Sequence, residues 1–271
     1  MIDLHIHSTY SDGTNTPLEI LKLAEKLNLS QIAITDHNCI DGALVALEFI
    51  DKFSFDFIIG CELTCMYKNK EVHLLGYFDK NNNEFDSLYS FIKLSEDNKV
   101  IAQEKMLENL KRYGFKLTLT ELKERFPDTI INRVHIARML CDKGYTSSID
   151  EVFDKYIGEG KPCYVQRKCP ELSDAVNAVH SCNGIAVLAH PFQYTKTEIE
   201  VFLADAIKII DGIEALHSSH NKNQIKELTK IAQKHKKIIT GGSDFHGTVK
   251  PDVSIGCCAV PDKYKLIVTS N

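Results

Sequence analysis

Histidines and acidic residues recur at the ends of short apolar runs along this chain. The first run carries His5 and His7, and Asp12 follows shortly after it. Comparable residues close or follow the later runs: His37, Glu62, His73, His190, His217, Asp244 and His246. Imidazoles mixed with carboxylates are donors that proteins use for Mn, Zn and Fe ions. The pattern therefore predicts a metal centre, provided that the fold brings these residues together.

No single member of this set is diagnostic. A lone histidine after a strand is more often a surface or hydrogen-bonded residue than a ligand, and we place His180 and His235 in that class. The pair of His5 and His7 is stronger, because alternation along a strand points both side chains to one face. Nine of the eleven histidines lie at strand ends or in an inserted region described below. This coincidence favours a shared site over separate structural histidines.

The apolar runs are typical of strands buried on both faces of a parallel sheet, because they are rich in Ile, Val and Leu and nearly continuous. They occupy residues 2–7, 31–37, 57–62, 71–77, 184–190, 212–217 and 237–246. Helical segments follow most runs. The first helix is predicted to begin at Pro17, with Thr16 as its N-cap and Glu19 completing a capping box with Thr16. The second helix is predicted from Asp41 to about Lys52.

Seven strand and helix units predict an α/β barrel with one unit fewer than the common eight, in which the C-terminal strand ends meet on one face. The spacing breaks once, between Tyr77 and Gly184. This interval is several times longer than a single crossover requires. Helices are predicted in it at 84–114, 134–143 and 149–156. We therefore expect a barrel formed by residues 1–94 and 166–271, and a small helical subdomain at 95–165 that caps the active site.

Composition narrows the class of protein. The chain has 271 residues and a formal net charge of −5. A protein with this charge has no broad positively charged surface for binding long nucleic acids. It has neither an apolar run long enough to cross a bilayer nor a secretory leader, so we expect a cytoplasmic protein without membrane contact. The nine cysteines show no metal-binding or disulfide spacing, and we assign them no role.

Six motifs carry a resemblance to a known family. In chain order they are HIHSTYSDGT, ITDHN, GCELT, VHLLGY, LAHP and GGSDFHG. Together they resemble the successive motifs of the PHP (polymerase and histidinol phosphatase) superfamily. INRVHIAR, GEGKPCYV and GIEALHSSHN further resemble the stand-alone phosphoesterase branch, which contains 3',5'-nucleotide bisphosphate phosphatases and a 5' exoribonuclease.

The resemblance implies a distorted seven-stranded barrel and a site for three divalent ions, expected to be Mn, with Zn or Fe as alternatives. The first ion would be bound by His5, His7, Glu62 and Asp244. The second would be bound by Glu62, His73 and His190. The third would be bound by Asp12, His37 and His246. The chain departs from the family pattern only after His190, at Phe192 and Gln193 beside the substrate pocket.

The expected reaction is attack on phosphorus by a hydroxide that bridges the first two metals. Removal of Glu62, the carboxylate shared by these metals, should lower the activity more than removal of any one histidine. His217 and His220 are candidate proton donors to the ester oxygen. Asp36 is expected either to complete the network at the strand ends or to cap the following helix.

Substrate-binding residues are predicted in the inserted region. Arg133, His135 and Lys161 match the branch motifs and would bind a second phosphate or the sugar end of the substrate. The alternative for Arg133 and Arg138 is a solvated helix face.

The leading function is hydrolysis of a phosphate monoester on a small nucleotide such as a 3',5'-bisphosphate. The alternatives are cleavage of a cyclic ribose phosphate, 5' trimming of short RNA, and a non-catalytic metal-binding accessory module. No obligate protein partner is inferred.

Overall fold

The computed structural model describes residues 1–127, 131–196 and 198–269. The chain divides into two compact units, residues 1–92 with 170–271 and residues 93–169. Each unit has a buried apolar cluster of its own. The predicted insertion at 95–165 falls inside the second unit. Its predicted role as a cap over the active site stays a prediction.

The first unit is built on a single sheet of seven strands in the order of the chain. The strands are β1 (Ile2–Asp3), β2 (Gln31–Ile34), β3 (Asp56–Tyr67), β4 (Lys70–Phe78), β5 (Ile185–Leu188), β6 (Gly212–His217) and β7 (Ile238–Gly242). The two edge strands also meet, since Leu4 N–H donates to Gly241 O over 3.1 Å and Asp244 N–H donates to His5 O over 2.8 Å. The sheet is thus a nearly closed barrel, which confirms the predicted seven-stranded fold.

The expectation of parallel strands throughout is wrong at β4, which runs antiparallel to both β3 and β5. A tight turn at Lys68 and Asn69, with φ of 49° and 59°, joins β3 directly to β4. A two-residue connection with positive φ at both positions makes a hairpin and leaves no room for a crossover helix. His73 consequently lies in the first half of its strand, where it pairs with Thr64 near Glu62.

In the described part of the first unit, six helices lie wholly within the unit. They are α1 (Pro17–Lys26), α2 (Asp41–Leu47), α7 (Leu172–His180), α8 (Ile199–Leu203), α9 (Ala206–Ile209) and α10 (Lys222–Lys234). The predicted capping box of α1 is confirmed, because Glu19 N–H donates to Thr16 Oγ1 and Thr16 N–H donates to Glu19 Oε2 over 2.8 Å. The helix α2 ends earlier than predicted, and a 3-10 turn at Ile50–Lys52 follows it.

The second unit is helical. The helix α3 (Asp86–Arg112) begins before the boundary and continues into this unit, where α4 (Leu119–Arg125), α5 (Arg133–Asp142) and α6 (Ile149–Val152) follow. The helix α4 was not predicted, although Thr118 and Glu121 form a capping box at its start. Leu110, Leu122 and Leu140 belong to the buried cluster of this unit. Among the described residues, no helix is long and apolar enough to span a membrane.

Candidate metal centre

The nine predicted metal ligands converge in the first unit. Their side chains form groups in which one ligand atom from each residue lies within 4.8 Å of the others. The groups are His7 with Asp12, His37 and His246; His5 with Glu62 and His190; His37 with Glu62 and His73; and His5 with His217 and Asp244. Residues separated by more than two hundred positions in the chain therefore meet in one place.

Glu62 is the centre of this arrangement. Its carboxylate is fully buried and faces five imidazole rings. The nitrogen to oxygen distances are 3.3 Å to His5, 3.3 Å to His7, 3.0 Å to His37, 2.9 Å to His73 and 2.9 Å to His190. Burial opposes ionisation of Glu62, but the charges of the neighbouring imidazoles outweigh it and hold its pKa well below the usual range.

The backbone is unusual at two of the candidate ligands. His190, two residues after β5, has φ of 25°, and Asp244, two residues after β7, has φ of 57°. Non-glycine residues in this region carry strain, which tends to collect at functional sites. Gly242 permits the close approach of β7 to β1, because a Cβ at this position would stand 2.4 Å from the backbone nitrogen of His5.

The third predicted set lies at the more accessible side of the centre. Asp12 is 40 % exposed, and its carboxylate oxygens lie 3.2 Å from His246 Nε2 and 3.9 Å from His37 Nε2. His7 Nδ1 is 3.8 Å from the same carboxylate. The other ring nitrogen of His246, Nδ1, lies 2.8 Å from the backbone oxygen of Asp244, and this hydrogen bond orients the ring.

The chemistry of the donor set fits divalent cations. Four candidate ligand atoms are buried and have no hydrogen-bond partner in the described part of the chain: His5 Nε2, His7 Nε2, Asp12 Oδ1 and Glu62 Oε2. Leaving such atoms unsatisfied costs about 1–3 kcal/mol each, and more when the group is charged. Coordination of a cation would satisfy them together. How many ions bind, which element they are and which residues share each ion stay predictions.

The grouping differs from the predicted partition. His7 lies with the third set, His5 lies with Glu62 and His190, and His37 lies with Glu62 and His73 as well as with the third set. His217 lies with His5 and Asp244, although it was predicted as a donor rather than a ligand. His220 was the other predicted donor. Its Nε2, like that of His217, is buried with no hydrogen-bond partner among the residues that the structure describes.

Glu214 was missed by the sequence reasoning. It is fully buried, accepts a hydrogen bond from His5 Nδ1 over 2.9 Å and accepts another from the backbone N–H of His190 over 2.8 Å. Burial disfavours its charge, but the neighbouring His5 and His217 hold the pKa of Glu214 down to about 2. A glutamate within the apolar run GIEALH was the available signal.

Two further side chains contact candidate ligands. The hydroxyl of Tyr194 lies 3.0 Å from His190 Nδ1 and accepts the backbone N–H of His73 over 2.7 Å. Lys250 Nζ donates to Asp244 Oδ2 over 2.7 Å. Contacts of this kind orient ligands and tune their basicity.

Asp36 completes the network at the strand ends. Its carboxylate accepts hydrogen bonds from Ser8 N–H over 2.7 Å, from Ser8 Oγ over 2.6 Å and from Ser11 Oγ over 2.6 Å. The alternative role as a helix cap is wrong, because α2 begins after Ile40 and has no side-chain cap.

The predicted substrate-binding residues lie in the second unit. The guanidinium of Arg133 lies over the rings of Phe153 at 6.0 Å and Tyr164 at 5.4 Å. His135 Nδ1 accepts the backbone N–H of Asn132 over 3.1 Å at the start of α5. Lys161 is exposed. The binding of substrate by Arg133, His135 and Lys161 stays a prediction.

Comparison with known proteins decides the family. The model of the PHP domain matches residues 3–162, which is more than half of the chain. This chain belongs to the PHP domain family. The fold agrees, since a solved structure from Bifidobacterium adolescentis, described as a metal-dependent phosphoesterase, superposes with a TM-score of 0.78 at 27 % identity. The match covers 97 % of this chain and 93 % of that one.

Three curated relatives align with this PHP protein over 90 % of its length. The 3',5'-nucleoside bisphosphate phosphatase of Chromobacterium violaceum is 31 % identical, with 87 % of its own length covered. The 5'-3' exoribonuclease of Haemophilus influenzae is 28 % identical over 89 % of its length. A phosphoribosyl 1,2-cyclic phosphate 1,2-diphosphodiesterase of Eggerthella lenta is 25 % identical over 94 %. The chain is an enzyme of this phosphoesterase family.

Proposed function

We propose that this phosphoesterase removes a phosphate monoester from a small nucleotide, with a 3',5'-nucleotide bisphosphate as its substrate, in the cytoplasm. The relative from Chromobacterium violaceum, at 31 % identity over 90 % of the chain, supports this choice of substrate. Manganese is the proposed ion, with zinc and iron as alternatives, and three ions are the proposed number.

The observation that carries the proposal is the buried carboxylate of Glu62 surrounded by five imidazoles. Glu62, His5, His7 and Asp244 would bind the first ion, Glu62, His73 and His190 the second, and Asp12, His37 and His246 the third. When bound, divalent ions neutralise phosphoryl oxygens and make water acidic enough to attack at neutral pH. The residues of this chain hold the donor atoms in place and shield most of them from solvent.

Two other substrates come from the remaining relatives. The 5'-3' exoribonuclease is 28 % identical and the cyclic phosphate diphosphodiesterase is 25 % identical. Short RNA 5' ends and a cyclic ribose phosphate are therefore the alternatives that the experiment must separate. An RNA substrate would make the rate strongly dependent on salt, because binding of many phosphates releases counterions.

The first experiment measures orthophosphate release by the Mn²⁺-loaded protein. Adenosine 3',5'-bisphosphate, 5'-AMP, a short 5'-phosphorylated RNA and a cyclic ribose phosphate are compared under identical conditions, each beside a chelated control. We expect metal-dependent release from the bisphosphate at a higher kcat/KM than from the other three. Preferential cleavage of the RNA or of the cyclic phosphate would replace the proposed substrate.

Arg133→Ala tests the predicted role of the second unit in substrate binding. We expect a loss of about 10-fold to 100-fold in kcat/KM on the bisphosphate, which is the effect of one hydrogen bond to a charged group. A simple aryl phosphate, which lacks the second phosphate, should show little change. Arg138→Ala is the matched control on the same helix, since its guanidinium lies over Phe126. Equal losses on both substrates would refute the assignment.

A further inference from the structure

We propose that His217 is a fixed N–H donor to a phosphate oxygen of the substrate and does not bind metal. The identity of the substrate rests on the proposed function, whereas the donor state of the ring rests on hydrogen-bond geometry alone. His217 is the last residue of β6, is buried, and places Nε2 3.5 Å from Asp244 Oδ2. Position by itself is compatible with a ligand or with a donor.

The contacts of the other ring nitrogen decide between these roles. The backbone N–H of Ser219 donates to His217 Nδ1 over 3.0 Å. A backbone amide can only donate, so Nδ1 must present its lone pair, and the neutral ring then carries its proton on Nε2. Ser219 Oγ lies 2.8 Å from the same Nδ1 and accepts from the Gln193 amide at 3.4 Å, which leaves its hydroxyl proton for His217.

Two candidate metal ligands show the opposite arrangement. His5 Nδ1 lies 2.9 Å from the carboxylate of Glu214, and His246 Nδ1 lies 2.8 Å from the backbone oxygen of Asp244. These oxygens accept hydrogen bonds, so Nδ1 carries the proton and Nε2 presents the lone pair that a metal requires. His217 would have to lose a hydrogen bond, or its Nε2 proton, before it could coordinate an ion.

The same reasoning separates His217 from His220. His220 Nδ1 lies 3.0 Å from the backbone oxygen of Ala215, which can only accept. The neutral ring of His220 therefore has no proton on Nε2 to offer to a substrate oxygen. Of the two residues predicted together as donors, only His217 has the donor state built into the fold.

A preorganised donor of this kind has a clear use in phosphoester hydrolysis. The Nε2–H of His217 is buried and faces Asp244 Oδ2 at 3.5 Å, which is longer than an ordinary N–H···O hydrogen bond. A hydrogen bond from this group would stabilise negative charge that develops on a phosphate oxygen in the transition state. His217 keeps its proton throughout, so no proton transfer from the ring is required.

The donor state can be observed without any turnover. Protein labelled with ¹⁵N-histidine and loaded with Zn²⁺, which is diamagnetic, would be studied by long-range ¹H–¹⁵N NMR, with His217 assigned by loss of its signals in His217→Gln. We expect the Nε2–H form for His217 and the Nδ1–H form for His5 and His246. An Nδ1–H form, or a zinc-shifted Nε2 at His217, would overturn the proposal.

A pair of variants then tests the function of the donor. His217→Gln keeps an N–H group near the end of the side chain, whereas His217→Met has similar length and no donor. We expect both to bind as much Mn²⁺ as the parent, while His217→Met loses about 100-fold or more in kcat/KM on adenosine 3',5'-bisphosphate. His217→Gln should stay within about tenfold of the parent, because one donor replaces another.

Equal losses in kcat/KM for the two variants, or loss of bound Mn²⁺ in either, would contradict the donor role. His5→Gln serves as the reference for a variant that loses metal. If the parent releases no phosphate from any substrate, the proposed function fails, and the NMR and metal-binding results still decide whether His217 is a donor or a ligand.

Discussion

Replacing Glu62 with glutamine is expected to remove phosphate release almost completely and to lower the amount of bound metal. Glu62 faces five imidazoles and belongs to two of the candidate ligand groups, so two sites would lose a negative ligand at once. Loss of a side chain that only hydrogen-bonds to a metal ligand already lowers metal affinity or activity about 10-fold to 100-fold. Loss of a shared ligand should exceed this range in kcat.

The measurement combines metal content by mass spectrometry with the rate of orthophosphate release in Mn²⁺. His73→Gln is the informative comparison, because His73 belongs to only one of the candidate groups and should lose less activity. Glu227→Gln, at an exposed position on α10, controls for removal of a carboxylate elsewhere. A Glu62→Gln protein with full metal content and full rate would contradict the assignment of Glu62 as the shared ligand.

The second large effect is expected at Glu214. Both of its carboxylate oxygens are engaged, one by His5 Nδ1 and the other by the backbone N–H of His190. A glutamine has only one accepting oxygen, so Glu214→Gln would turn an NH₂ group toward one of these donors. We expect metal affinity to fall about 10-fold to 100-fold, since His5 and His190 would no longer be held in place.

Stability should fall with metal affinity in this variant. Glu214 is fully buried, and an unsatisfied buried donor costs about 1–3 kcal/mol. Thermal unfolding of the metal-free proteins and titration with Mn²⁺ measure the two effects separately. Glu227→Gln again provides the control. Unchanged Mn²⁺ affinity would show that Glu214 does not orient the ligands.

The sequence by itself determined which side chains meet at the candidate metal centre and where most of the strands lie. His5, His7 and Glu62 stand in or directly after apolar runs, and alternation along an extended chain directs the side chains of His5 and His7 to the same face. The start of α1 was also predictable, because Thr16 and Glu19 interact within one helical turn. These features depend on neighbours in the chain, and local patterns report such interactions well.

Only the tertiary structure decided the direction of β4 and the environment of β6. His73 reaches Glu62 because β4 runs antiparallel, and this follows from pairing with β3 and β5 rather than from the run itself. In β6, Glu214 and His217 are both buried beside His5. The pairing of β6 with β7 shifts register between Glu214 and Leu216, and this irregularity lies between the two residues. In a regular strand, residues three apart would point to opposite faces.

The hydrogen-bonding states of the histidines are also visible only in the folded structure. His5 and His217 are identical in type, yet the partner of one Nδ1 is a carboxylate more than two hundred residues away and that of the other is a backbone N–H two residues on. The first contact exists only because β1 and β6 are brought together by folding. Sequence therefore determined the donor types. Long-range packing decided which nitrogen of His5 carries the proton, whereas the local turn after β6 decided it for His217.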